Sequence, residues 1–186
     1  LKRGMYNKFV AVDVEGLAIG GPDADTAGYT REATDLSSEA VLKSPSDKEP
    51  AVRINNGVNV TIDGVAFTDS NQFIRSTNWS TVTIEDSIIT DGQSSNWHIK
   101  LDSREGNLIF ERNYLTGNNI ASSGTVAVWG PDPQVTIKDN VWENNRGIAL
   151  NAWHATGTVA NNTIENTEKP YVDSNSEFKQ YGFYFA

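Results

Sequence analysis

Apolar and polar residues repeat along the chain in one short phrase. It reads VNVTIDGVAF at residues 58–67, STVTIEDSII at 80–89 and PQVTIKDNVW at 133–142. In each copy two apolar residues flank one polar residue, a turn pair follows, and apolar residues then return. Alternation with a period of two is typical of a β-strand that buries one face. The recurrence of this strand–turn phrase predicts a repeated unit of structure.

The copies align on one apolar position, and this alignment sets the period. The position is held by Val12, Val60, Val82, Leu108, Val135 and Gly157. The steps between neighbouring copies are 48, 22, 26, 27 and 22 residues. A core period near 22 with insertions of variable length is typical of a solenoid, whose extra residues fall in loops.

The turn after this strand carries a second signal. Its residues in successive copies are Gly16, Gly64, Asp86, Arg112, Asp139 and Asn161. All but the arginine belong to the types that adopt a left-handed backbone most readily. The next residue is asparagine in the last three copies, namely Asn113, Asn140 and Asn162. Asparagines stacked in successive turns can hydrogen-bond one another and the backbone, so we predict an asparagine ladder.

Two further strands complete each repeat. The strand after the turn carries Ala66/Phe67, Ile88/Ile89, Tyr114/Leu115, Val141/Trp142 and Thr163/Ile164. The strand before the aligned position carries Val52/Ile54, Ile74, Ile99/Leu101, Val126/Val128 and Ile148/Leu150. Three short strands per turn predict an all-β, single-stranded parallel β-helix of about six coils, right-handed because parallel crossovers nearly always are. We expect residues 182–185 to begin the first strand of a further, uncapped coil.

The repeats resemble those of the pectin-lyase-like β-helix superfamily over residues 9–20 and 51–167. The resemblance implies a right-handed β-helix with its asparagine turn between the second and third strands. It also implies that the first strand lines the substrate groove in the enzymes of this fold. Lyases, hydrolases, epimerases, adhesins and phage tailspikes share the fold, so no single function is implied.

A narrower likeness concerns residues 96–129. NWHIKL at 96–101 and NYLTGNNIASSGTVAVW at 113–129 look like two segments of the alginate lyase and chondroitinase B family, W-x-x-L and N-Y-F-x-G-K…V-V-W. That family has its catalytic lysine after the glycine, where this chain has Asn118. The departure implies either that the base lies elsewhere or that this coil is not catalytic.

Composition narrows the choice of partners. The 186 residues suffice for one domain with a core, and we treat residues 1–186 as one β-helix domain. Lysine and arginine number 15 against 24 aspartate and glutamate, a net charge of -9 that disfavours nucleic acid. The chain has no cysteine, and no apolar run approaches the roughly 20 residues of a membrane span. It opens on Leu1, so we expect a piece of a longer protein.

The first strand is predicted to carry a row of cations on its outward face. Successive coils place there Arg53, Arg75 and Lys100, then Ala127 and Ala149. We expect His98, Asp102 and Arg104 on the rung of Lys100. Cations on rungs about 4.8 Å apart repel one another, and a carboxylate-rich polysaccharide would compensate them.

This row suggests a lyase site. Removal of the proton next to a uronate carboxylate needs a base and a group that stabilises the enolate. Lys100 and His98 are the candidate bases, with Arg75 as the stabiliser. Residues 21–50, the longest insertion, are expected to form a loop beside the first sheet that makes one wall of the substrate groove. In the alternative interpretation, the cations pair with loop carboxylates and the insertion is a solvated flap.

Two further sets of side chains are candidates for binding. An acidic column at the end of the second strand comprises Glu15, Asp63, Glu85 and Glu111, followed by Lys138. Calcium relieves the repulsion of stacked carboxylates, so Asp63, Glu85 and Glu111 are candidate Ca²⁺ ligands, with a solvated column as the alternative. Outward aromatic residues that can stack on sugar rings are Trp79, Trp129, Trp153 and Tyr184. The predicted substrate-binding set is Arg53, Arg104, Trp129 and Trp153.

The sequence leaves two functions open. One is a lyase-like protein that acts on or binds an acidic, uronate polysaccharide outside the cell or at its surface. The other is a non-catalytic structural or adhesive segment of a surface, filament or tailspike protein, which Asn118 and the two alanines of the first strand favour. Further expected partners are the rest of the parent chain or a second copy at the open helix ends.

Overall fold

A computed structural model describes residues 1–55, 57–78, 81–94, 97–102, 106–166, 169–174 and 177–185. Within these ranges, side chains are described except at residues 94, 120–124, 147–149, 153, 169–174 and 177–185.

The described residues form strands of three to five residues in most cases, and the last strands are longer. In chain order they are β1 (Gly4–Asn7), β2 (Val10–Val12), β3 (Leu17–Gly20), β4 (Ala40–Lys43), β5 (Val52–Ile54), β6 (Val60–Asp63), β7 (Ala66–Phe67), β8 (Ile74–Ser76), β9 (Thr81–Glu85) and β10 (Ile88–Thr90). They continue as β11 (Gln93–Ser94), β12 (Ile99–Asp102), β13 (Asn107–Glu111), β14 (Tyr114–Thr116), β15 (Asn119–Trp129), β16 (Gln134–Lys138), β17 (Val141–Glu143), β18 (Arg146–Trp153), β19 (Thr156–Glu165), β20 (Lys169–Ser174) and β21 (Glu177–Phe185). Two short 3₁₀ helices span Gly28–Thr30 and Leu36–Ser38.

The strands stack in three parallel ladders, which confirms the predicted β-helix. The first sheet has the order β2-β5-β8-β12-β15-β18-β20. The second runs β3-β6-β9-β13-β16-β19 and the third β1-β4-β7-β10-β14-β17-β19, so β19 joins them. Four turns, β5 to β7, β8 to β10, β12 to β14 and β15 to β17, have three separate strands and no long insertion. The described part of the chain therefore has about four regular turns, fewer than the six expected.

The interior follows the predicted alternation. Val60, Val82, Leu108 and Val135 lie on successive rungs of the second sheet and are at most 3 % exposed. Each buried side chain of this size stabilises the fold by about 1.5–3 kcal/mol. The first copy was aligned wrongly, because Leu17 pairs with Val60 while Val12 pairs with Ile54 in the first sheet. Both strands alternate apolar residues, so periodicity alone does not distinguish them.

The turn between the second and third sheets has the predicted backbone. Its positive-φ residues are Gly64, Asp86, Arg112, Asp139 and Asn161. The ladder behind it is buried, and Asn113 donates from its backbone and side chain to Oδ1 of Asn140 at 2.9 and 3.1 Å. Asn140 donates in the same way to Asn162 at 3.0 and 2.9 Å. The ladder is confirmed, and it fixes the register of successive coils.

Most of the insertion does not lie beside the first sheet, where it was expected, and that part of the prediction is wrong; only its end reaches this sheet, through the ion pair of Glu49 with Arg53. Residues 40–43 form β4 of the third sheet. Residues 21–39 cover the corner between the second and third sheets, where the Gly28 N–H donates to Arg112 O at 2.8 Å. Ala33 and Leu36 pack on an apolar patch of the third sheet formed by Val41, Ala66 and Ile88. Burial of this patch explains why the segment folds onto that face.

The C-terminal segment also differs from the prediction. Phe183 pairs with Asn162 and Phe185 with Ile164, so residues 182–185 extend the third sheet instead of starting a first strand. The first strand of this last turn is β20, which pairs with β18. A short alternating aromatic segment fits any of the three sheets, and only pairing decides among them.

Candidate functional site

The three predicted cations lie side by side on the first sheet. Arg53 pairs with Arg75, and Arg75 pairs with Lys100. Their neighbours Val52, Ile54, Ile74, Ile99 and Leu101 are fully buried, so alternation turns the cations outward. The next residue in the row is Ala127, followed by Asn151, because β15 and β18 pair two residues away from the expected register. Ala149 is therefore not in the row.

Two of the three cations have carboxylate partners. Arg53 forms an ion pair with Glu49 and lies 4.9 Å from the ring centroid of Phe9. Lys100 Nζ lies 2.9 Å from Asp102 Oδ2. Arg75 forms no ion pair with any described residue, and its buried Nε–H has no acceptor among them. The alternative interpretation, in which loop carboxylates neutralise the row, therefore fits Arg53. It does not fit Arg75, whose positive charge is offset by no carboxylate among the described residues.

Two tryptophans enclose Lys100. Its ammonium lies 4.5 Å from the ring centroid of Trp97 and 5.0 Å from that of Trp129. The rings meet edge to face with centroids 4.6 Å apart. Cation–π contacts of this kind hold the side chain in place. Sequence reasoning named Trp129 and did not assign a role to Trp97, although its place three residues before Lys100 in NWHIKL was the available signal.

His98 is not available as a base. It lies in the bend before β12, with its ring centroid 5.2 Å from that of Phe73, and is fully buried. Burial lowers the pKa of His98 to about 3. An added Cβ at Gly92 would lie 2.1 Å from the imidazole, so the ring occupies space that only glycine leaves open. The expectation that His98 lies beside the row is wrong because alternation does not extend into the bend.

Asn118 belongs to a second asparagine ladder that sequence reasoning missed. Its Nδ2 donates to Asn145 Oδ1 and to Ile89 O, both at 2.9 Å. Asn118 Oδ1 accepts from the Gly92 N–H at 3.0 Å, and the residue is 1 % exposed. The available signal for this ladder was the residue directly before each asparagine. These residues, Gly117 and Asn144, belong to the types that adopt a positive φ most readily, and both do so here. The position where the resembling family has its lysine is therefore a buried structural position here.

Three of the four predicted acidic residues lie in one column. Asp63, Glu85 and Glu111 are in register with Lys138, whereas Glu15 lies off the column and bonds Asn59. Arg112 lies within 3.0 Å of Glu85, 2.7 Å of Asp86 and 3.6 Å of Glu111. The hydrogen bond to Asp86 raises the pKa of Arg112, and burial raises that of Asp63.

Calcium binding by this column stays a prediction. In the part of the chain that the structure describes, no group of three or more acidic, histidine or cysteine residues has the geometry to hold a metal ion. Arg112 already supplies positive charge between Glu85 and Glu111. Any ion would have to compete with this guanidinium for the carboxylate oxygens.

Some predicted residues lie outside the described residues. These are Arg104 and Trp79, and also the side chains of Trp153 and Tyr184.

A family model described as the right-handed β-helix region matches residues 36–168. The chain belongs to the right-handed β-helix family. No curated protein and no solved structure matches the chain. No helix among the described residues has the length and apolarity to cross a membrane.

Proposed function

We propose that this β-helix binds an acidic, uronate-type polysaccharide along the outward face of its first sheet. The observation that carries the proposal is the position of Arg75 between Arg53 and Lys100 on adjacent strands. Rungs about 4.8 Å apart bring the three charges within one Debye length, so they act together on a polyanion.

The charge balance of the row favours an anionic ligand even though the whole chain is acidic. Glu49 and Asp102 offset Arg53 and Lys100, which leaves the charge of Arg75. A carboxylate that reaches Arg75 can accept hydrogen bonds from the guanidinium, and charge-assisted bonds of this kind are the strong ones. The row is thus a local positive feature on a molecule of net charge -9.

Aromatic rings flank the row and suit a sugar chain. Phe9 lies at Arg53, while Trp97 and Trp129 lie at Lys100. Aromatic rings combine a large apolar face with fixed geometry, and such faces pack against the apolar faces of sugar rings. The ligand we propose therefore has both carboxylates and ring faces, as a uronate polymer does.

Lyase-like chemistry is the finer hypothesis for the same site. The burial of His98 removes one of the two candidate bases and leaves Lys100, with Arg75 as the group that stabilises the enolate. Arg75 neighbours Lys100 in the parallel register, so both can reach one uronate unit. The non-catalytic alternative is favoured by the buried Asn118 ladder.

The test is a calorimetric titration of the protein with alginate, pectate and chondroitin. Each titration is made in about 20 mM salt and again in about 0.5 M salt. We expect at least one polymer to bind at low salt and the affinity to fall at high salt. Arg75→Ala should weaken binding by about fivefold or more, because it removes the charge that no described carboxylate offsets. Ultraviolet absorbance of unsaturated products tests cleavage in the same samples.

Lys138→Ala is the matched control. It removes the same charge from the second sheet, so it should leave the affinity within about twofold of the original chain if the row is the site. Absence of binding to all three polymers at low salt would refute the proposal. Binding without cleavage would sustain it and exclude the lyase hypothesis for these polymers.

A further inference from the structure

A cleft of about 510 Å³ lies on a different face, between the insertion and the third sheet. Its floor is formed by outward residues of β14 and β17, among them Tyr114, Val141 and Glu143. Its wall is formed by Tyr29, Arg31 and Glu32. Clefts of this volume are large enough for a small-molecule ligand.

The wall is held firmly against the solenoid. Arg31 bonds the Glu39 carboxylate and the backbone carbonyl of Asp86, and its side chain is only 8 % exposed. A Cβ at Gly28 would lie 2.3 Å from the Ser87 carbonyl oxygen, so this approach requires glycine. These contacts preform the cleft, which reduces the ordering cost of binding.

The polar groups of the cleft suit hydroxyl groups. Glu143 accepts from the Tyr114 hydroxyl at 2.6 Å and from Asn144 at 3.1 Å, while Glu32 accepts from the Thr34 hydroxyl. All of these donors are neutral, and neither carboxylate has an ion pair among the described residues. The carboxylates can therefore accept further hydrogen bonds, and their negative charge repels an anionic ligand.

One observation independent of the carboxylates points to a ligand. Tyr29 is 42 % exposed on the wall of the cleft, so its ring is accessible to a ligand that enters. Arg31 also lines the cleft, and its guanidinium, held by Glu39 and Asp86, shapes the wall.

We propose that this cleft binds a neutral saccharide unit, with its apolar ring face on Tyr29 and its hydroxyl groups on Glu32 and Glu143. The site is separate from the row of cations and takes a neutral ligand, whereas the row takes an anionic one. A neutral sugar supplies hydroxyl donors for the carboxylates, without the repulsion that a uronate would meet.

The test is saturation-transfer NMR and calorimetry with four neutral trisaccharides, built from glucose, xylose, galactose and N-acetylglucosamine. We expect at least one to bind. Tyr29→Ala should weaken that binding by about fivefold, whereas Tyr29→Phe keeps the ring and should retain most of it. Glu32→Gln, which keeps the shape but lowers the acceptor strength, should weaken binding as well.

Arg75→Ala is the control for the other face and should leave trisaccharide binding unchanged, while Tyr29→Ala should leave the binding of the acidic polymers unchanged. This pair separates the two proposals, because each variant affects one ligand class only. The cleft proposal is overturned if no trisaccharide binds, if Tyr29→Ala binds as well as the original chain, or if galacturonate oligomers compete equally for the cleft.

Discussion

The side-chain amide of Asn118 donates a 2.9 Å hydrogen bond to Oδ1 of Asn145, one coil further along the helix. This bond lies where the resembling alginate lyase and chondroitinase B family has a lysine. The ladder buries its amides and satisfies them along the stack, so the position serves the register of the coils.

Asn118→Lys should destabilise the fold without creating lyase activity. The substitution buries an ammonium and leaves the Gly92 N–H without its acceptor, which we expect to lower the free energy of unfolding by about 3–5 kcal/mol. Urea denaturation measures this loss. Asn166→Lys, at an exposed position, is the control. It should cost about 1 kcal/mol, because Asn166 has a positive φ that lysine adopts less readily. Uronate cleavage by a stable Asn118→Lys variant would contradict the structural role.

Asn140→Ala should cost about 1–3 kcal/mol of unfolding free energy. The change removes the acceptor of Asn113 and the donor to Phe110 O at 2.8 Å, and both groups are buried. Chemical denaturation again supplies the measurement. Asn55→Ala, whose side chain bonds Asp13 near the surface, should cost less than about 0.5 kcal/mol. Equal losses in the two variants would show that the ladder does not stabilise the coils.

Stability should fall on acidification through the titration of His98. Its pKa is about 3 in the folded chain, against 6.5 for an unperturbed histidine, so the unfolded chain binds the proton first. Stability from this group is therefore fully present above pH 6.5 and is lost as the pH falls toward 3. Between pH 7 and 5, above the range of most carboxylates, we expect a loss of about 2 kcal/mol.

The measurement is the unfolding free energy at several pH values for the original chain and two variants. His98→Phe should lose most of the dependence between pH 7 and 5, because the neighbouring Phe73 shows that the stack accepts this ring. His154→Asn, at an exposed position, should retain it. Unchanged pH dependence in His98→Phe would assign the effect to other groups.

Calcium should stabilise the acidic column more once Arg112 is gone. Arg112→Gln removes the cation that approaches Glu85, Asp86 and Glu111, and the remaining carboxylates repel one another. We expect the variant to melt at a lower temperature and to regain part of the loss when calcium is added. Magnesium, which demands a stricter geometry, is the control ion. The same calcium response in both chains would contradict competition between Arg112 and the ion.

The sequence by itself determined the features that repeat along the chain. Alternation and the asparagine turn predicted the β-helix, and the register of Val60, Val82, Leu108 and Val135 is as expected. The same reasoning put Arg53, Arg75 and Lys100 in one outward row. These features depend on nearest neighbours along the stack, and each repeat carries its own signal for them.

Only the tertiary structure decided the features that the period does not reach. His98 lies in a bend, where alternation ends, and packing turned it into the core. The insertion packs on the third sheet because Val41, Ala66 and Ile88 form an apolar surface there. The local sequence pattern does not indicate which face of the helix a loop will cover. Trp129 contacts Lys100, and Arg112 contacts Glu85, across coils that are distant in sequence. Such contacts depend on side-chain packing in three dimensions, which a one-dimensional pattern does not specify.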